Sequence, residues 1–372
     1  MERIILLDID GVLVRPGGYR AALRAVVERF IQKGFQIAED ALNGMEKRGV
    51  LSEWDMTPLA IASCWEHILS RQPMNGLPDS PSAAAEAIRR RRRVALPARL
   101  SVPAFKLETG YYPAEAAFRS GCFPSIPEPL RKNLLTSTRN VQKSDVTRAI
   151  QHFTLGSKKF EETYNLPADF ETESLLLKHD RPALDSAARA ALFQNGNRAA
   201  IFTSRPSRPP REAGETTTGY APEAELALEL VGLTELPVTA FGKLEYIAAQ
   251  RQLDAAALLK PSPFQALAAT LSAWTGKELP ALNAAYEWLG SGKLNGAFNA
   301  LPKSFELLVV EDNVSGVRSV QAAGKILRQA GFDAAVRALG LTDGVPEKAA
   351  AFKAEGTPHF ESWAALLAVV QL

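Results

Sequence analysis

Short apolar runs that each stop at a polar residue constrain this chain more than any other feature. Residues 4–7 (Ile-Ile-Leu-Leu) lead into Asp8-Ile-Asp10-Gly, residues 199–202 (Ala-Ala-Ile-Phe) into Thr203-Ser-Arg-Pro, and residues 307–310 (Leu-Leu-Val-Val) into Glu311-Asp312. A strand with one wet face alternates apolar and polar residues. A run without alternation suits a strand covered on both faces, as in a parallel sheet flanked by helices. Helical periodicity fills the spaces between: residues 19–30, 184–193 (closed by Asn195-Gly196), 223–231, 264–289 with a turn near Gly276 and Pro280, and 315–330. Residues 237–241 and 334–341 read as further strands, 360–370 as a closing helix, and 207–219, rich in Pro, Arg and Thr, as an exposed loop. Strands alternating with helices predict an α/β fold with parallel pairing and right-handed crossovers.

Residues 31–180 have a different character. Helical patterns at 55–70 and 83–93 alternate with Pro- and Gly-bearing breaks, and no strand-like run stands out. With 372 residues to distribute, the expectation is two domains. Residues 1–17 and 181–372 form a discontinuous α/β core, and residues 18–180 form a mainly helical insertion.

In an open parallel sheet the carboxyl ends of the strands share one edge, and ligands bind there. Asp8, Asp10, Thr203, Glu311 and Asp312 can therefore converge despite their separation in sequence. Crowded carboxylates repel one another, and a hard divalent cation such as Mg²⁺ relieves this with oxygen ligands. Lys260, in Lys-Pro-Ser-Pro, adds a positive charge on a restricted backbone. A cation, a lysine and a hydroxyl together suit a phosphoryl group. A carboxylate there can act as nucleophile, and a second can protonate the leaving oxygen and then activate water. A calcium loop at Asp8-Ile-Asp10-Gly is disfavoured, because later ligand positions carry Val12 and Tyr19.

Asp8-Ile-Asp10-Gly-Val-Leu, strand-terminal Thr203, Lys260-Pro-Ser-Pro and Val-Val-Glu311-Asp312-Asn-Val-Ser-Gly resemble the four ordered motifs of the haloacid dehalogenase (HAD) superfamily. The resemblance covers the core, about half of the chain. It implies a Rossmann-like core with a cap inserted between the first and second motifs, where the helical segment lies. It implies Asp8 as nucleophile and metal ligand, and Asp10 as general acid/base that also ligates the metal through its backbone carbonyl. Thr203, with Ser204 and Arg205 beside it, and Lys260 would hold phosphate. Asp312, helped by Glu311, would hold Mg²⁺. Dehalogenases of the superfamily lack the second Asp, so Asp10 points to phosphoryl transfer. The insertion after Asp10 and the stretch from Lys260 to Glu311 are both longer than the resemblance implies, and Lys243 is a rival to Lys260 without its Pro-x-Pro context.

The function expected is a Mg²⁺-dependent phosphatase acting on a small phosphorylated metabolite. A phosphomutase of the same fold and a catalytically idle binding scaffold are the alternatives. Lys plus Arg (43) nearly balances Asp plus Glu (41), which argues against a nucleic acid or an anionic membrane as partner. Two cysteines, no signal-peptide pattern and no long apolar span give a cytoplasmic expectation. The run Arg89 to Arg93 reads as a solvated face rather than an anion grip. Cys64 and His67 read as packing rather than a zinc half-site. Trp54, Trp65, Tyr111 and Tyr112 read as core of the insertion, and Arg15 and Arg20 as hinge residues that could face substrate.

Overall fold

The computed structural model describes residues 2–91, 96–108, 110–193, 196–214 and 218–370. The chain divides into two compact units. One comprises Met1–Pro16, Glu162–Asn165 and Asp180–Leu372, and the other Gly17–Glu161 and Leu166–His179.

The first unit is built on strands β1 (Glu2–Leu7), β2 (Val14–Arg15), β3 (Arg181–Pro182), β4 (Arg198–Phe202), β5 (Val238–Thr239), β6 (Ser304–Glu311), β7 (Asp333–Leu341) and β8 (His359–Phe360). Six of them form one sheet in the order β5-β4-β1-β6-β7-β8, while β2 and β3 make a two-stranded ribbon. Every neighbouring pair in the large sheet is parallel. In β1, Ile4 and Leu6 join one apolar cluster with Ala200, Phe202 and the helix Pro263–Thr275. Ile5 and Leu7 join another, with Ala199, Ile201, Val238, Leu308 and Val310. Burial on both faces is the physical reason for the unbroken apolar runs.

Helix starts follow side-chain caps. Ser262 accepts from Phe264 N at the head of Pro263–Thr275, where Pro263 occupies the first turn, and Asn313 accepts from Ser315 N at the head of Val314–Gln329. The long stretch between Lys260 and Glu311 is filled by Pro263–Thr275 and Glu278–Ser291, whose apolar faces join the first cluster.

Several local expectations change. The 207–219 segment is not uniformly exposed: Ser207, Pro209 and Pro210 are buried, and Arg211–Ala213 forms a short 3-10 turn. The closing helix is shorter, Trp363–Leu367, because His359 and Phe360 pair with β7 instead. A helix at Pro346–Ala354, whose apolar pattern is weak, was not expected. Asn195, Arg92 and Arg93 lie outside the described residues.

The second unit is helical, and among its described residues no strand occurs. Its core gathers Leu23, Val26, Val27 and Phe30 of Gly18–Phe30 with Leu59, Ile61 and Trp65 of Glu53–Arg71. The longer helix is buried from Asp55 through Trp65, and Ser52 caps it by accepting from Trp54 N.

Candidate active site

The sheet register sets the site. Leu7 pairs with Ile201 on one side and Val310 on the other, so the residues after these strands lie along one edge. Asp8 continues the ladder by donating its N–H to the Val310 carbonyl at 3.2 Å. The following turn closes tightly, with Leu13 N and Val14 N both donating to Ile9 O at 2.9 Å, and Trp363 Nε1 donating to Val12 O at 2.7 Å.

Asp8, Glu311 and Asp312 each offer a carboxylate oxygen, and these atoms lie within 4.8 Å of one another. Among the described residues this is the one such acidic, His or Cys group, and it could hold a hard divalent cation. Two glycines make room for it. A Cβ on Gly11, which sits at φ +72°, would lie 2.6 Å from Asp312 Oδ2, and one on Gly316 would lie 1.9 Å from Glu311 Oε1. The glycines of two motifs are therefore explained by the carboxylates they face.

Lys260 reaches into this cluster. Its Nζ is 3.2 Å from Asp8 Oδ1 and also donates to Glu311 Oε1. Burial alone would lower the Lys260 ammonium, but Asp8 and Glu311 outweigh it and hold the group above the ordinary lysine value. Glu311 is pushed well up by burial, which Lys260 only partly offsets. Asp312 is pushed up to about 6, chiefly by burial and then by the Asp8 charge. The crowding expected of these carboxylates is thus present, and a cation would relieve it.

Thr203 is buried, and its carbonyl accepts from Gln265 Nε2 at 2.7 Å. The same amide donates to Thr239 O at 3.0 Å, while Gln265 Oε1 accepts from Lys260 N at 3.2 Å. One buried glutamine therefore links two strand ends and the lysine loop. Ser204 is exposed. Arg205, expected at phosphate, instead forks onto Asp10, with Nε 2.9 Å from Oδ2 and Nη2 2.5 Å from Oδ1, and Nη2 also reaches Asp180 Oδ2 at 2.9 Å.

Sequence reasoning missed Gln265, Asp180 and Lys348. The last, on Pro346–Ala354, donates to Asp312 Oδ2 at 2.5 Å. No pattern marks Gln265 or Asp180, whereas Pro346 is a helix-start signal that could have exposed Lys348's helix. Lys243 meets other partners: Arg208 O and Pro209 O at 3.1 Å, and Glu278 at 3.2 Å.

The remaining candidates have structural partners. Arg15 pairs with Asp343 at 3.2 Å, and Arg20 pairs with Glu46. Arg89 donates to Arg29 O, and Arg90 pairs with Glu86. Cys64 is buried, its thiol pushed up to about 12 by burial, and His67 contacts Arg71. Trp65 is core; Trp54 and Tyr112 flank Arg139, and Tyr111 stacks on Arg119.

A parallel sheet carrying the four motifs at its carboxyl edge decides the fold. The chain has an α/β fold built on a six-stranded parallel sheet. No protein-family model matches it, and no curated protein matches it. A solved X-ray structure of a Northeast Structural Genomics Consortium target matches with a TM-score of 0.64 and 14% identity, over 99% of this chain and 98% of that one. CbbY from Rhodobacter sphaeroides, in complex with phosphate, matches at 15% identity over 98% of this chain and 96% of its own, with a TM-score of 0.34. The putative HAD-hydrolase YfnB from Bacillus subtilis, bound to magnesium, matches at 10% identity over 100% and 99%, also with a TM-score of 0.34. The first likeness concerns the fold alone. No helix among the described residues is long and apolar enough to cross a membrane.

Proposed function

We propose that the chain is a Mg²⁺-dependent phosphatase of the HAD superfamily that hydrolyses a small phosphorylated metabolite through an aspartyl phosphate on Asp8. The observation that carries this reading is the meeting of Asp8 with Lys260 at 3.2 Å inside a three-carboxylate cluster at the sheet edge. Asp8, Asp312 and Glu311, with the Asp10 backbone carbonyl, would hold Mg²⁺, which supplies positive charge to the phosphoryl oxygens.

Asp8 Oδ1 is anchored by Ile9 N at 2.8 Å and by Lys260. Attack on phosphorus is assigned to Oδ2. As the new O–P bond forms, the bond from phosphorus to the leaving oxygen breaks, and Asp10 gives that oxygen its proton. Asp10 then takes a proton from water as the water attacks phosphorus. The Asp8–phosphorus bond breaks, inorganic phosphate leaves and the Asp8 carboxylate is restored. Lys260 and the Thr203 hydroxyl stabilise charge on the phosphoryl oxygens throughout. The helical unit is proposed as the cap that selects the leaving group.

The test is phosphate release from an aryl phosphate and a metabolite panel, with Mg²⁺ and with chelator, for wild type and Asp8→Asn. We expect Mg²⁺-dependent release that falls at least about a thousandfold in the variant. Release that survives both chelator and Asp8→Asn would refute the mechanism.

A further inference from the structure

Arg205 follows Thr203 by two residues, and its N–H donates to Thr203 Oγ1 at 3.4 Å. Its side chain is 2% exposed, as is that of Asp180, whereas the Asp10 side chain is 32% exposed. The guanidinium meets both Asp10 oxygens, at 2.9 and 2.5 Å, and Asp180 at 2.9 Å. A planar guanidinium that bridges a reachable carboxylate and a buried one fixes the plane of the former, which a lysine point charge cannot do.

We propose that Arg205, anchored by Asp180, is a positioning residue for Asp10. The inference rests on the phosphatase reading above. A fork uses one lone pair on each Asp10 oxygen and leaves another on each for proton exchange. The proton moves from Asp10 to the leaving oxygen in the first step and from water to Asp10 in the second. Arg205 holds the carboxylate in the orientation both transfers need, and it shares a loop with the Thr203 hydroxyl, so proton donor and phosphate are aligned from one segment. Misplacement of a catalytic group by about 1 Å costs on the order of a hundredfold in rate.

The test compares wild type, Asp10→Asn, Arg205→Lys and Asp180→Asn as full-length protein with Mg²⁺. Single-turnover release of the leaving group is measured with 4-nitrophenyl phosphate, whose leaving group needs little protonation, and with an alkyl phosphate, whose leaving group needs it. Arg205→Lys is expected to lose about a hundredfold with the alkyl phosphate, less than about tenfold with the aryl one, and to leave KM within about threefold. Asp180→Asn, which leaves the guanidinium in place, is expected to show the same pattern more weakly and guards against a folding defect in the first variant. Equal losses on both substrates, a change confined to KM, or faster turnover would overturn the proposal. If Asp10→Asn discriminates between the substrates and Arg205→Lys does not, the positioning role alone falls. If wild type shows no Mg²⁺-dependent turnover, the phosphatase reading falls and takes this inference with it.

Discussion

Two buried sites, one in each unit, hold charge in opposite ways. In the α/β unit, Asp8, Glu311 and Asp312 are packed against one another and met by Lys260 and Lys348. In the helical unit a buried carboxylate stands among donors. Asp55 accepts from Ala114 N at 3.2 Å, Thr138 Oγ1 at 3.4 Å and Arg139 Nη2 at 2.6 Å. The second arrangement ties loops to a helix and satisfies every contact it makes. The first collects like charges at a cost that a fold bears where chemistry requires it.

The same substitution should therefore act differently in the two places. Asp55→Asn is expected to destabilise the protein by about 2 kcal/mol, because its buried donors lose a charged acceptor, with kcat per folded molecule unchanged; denaturant unfolding and turnover on one preparation check this. Asp312→Asn, measured in chelator, is expected to be neutral or stabilising by about 1 kcal/mol, since a repelling carboxylate is removed. It should also abolish the thermal stabilisation expected when Mg²⁺ is added to wild type. If Asp312→Asn instead destabilises as Asp55→Asn does, the contrast between the units is wrong.

The smallest effect concerns His152. It is fully buried, stacked between Phe160 and Phe170, with Nε2 3.1 Å from Ser157 Oγ. Burial lowers its pKa below 6.5, with Arg148 and Arg29 lowering it further and Asp169 and Glu171 opposing. The unfolded chain then takes up the proton first, so stability is lost as pH falls from about 6.5 toward the folded value. Melting curves between pH 7.5 and 5 should fall less steeply for His152→Phe than for wild type.

The parallel core was legible because each central strand is covered on both faces and ends in a polar residue at the sheet edge. Asp8, Glu311, Asp312 and Lys260 could be named as candidates because they stand in recognisable local patterns, in two of which a glycine, Gly11 or Gly316, faces a carboxylate too closely for a Cβ. Arg205 was named for phosphate alone, since its partner Asp180 is 25 positions away and no local pattern pairs them. Gln265 was invisible for a similar reason: a buried amide in an apolar helix reads as an ordinary polar residue until its three partners are seen. The helical unit disclosed its helical character but no chemistry, because apolar periodicity reports burial and nothing else.

The pairing of β1 also has a consequence in time. Ile4 finds its first sheet partner at Arg198, and Glu2 its second-side partner at Phe305. Chain synthesis at about 5–20 residues per second leaves β1 without a neighbour for roughly 10 to 40 s. The helical unit is made within that interval and can bury its apolar side chains as it emerges, while the strand that leads into Asp8 waits in the open.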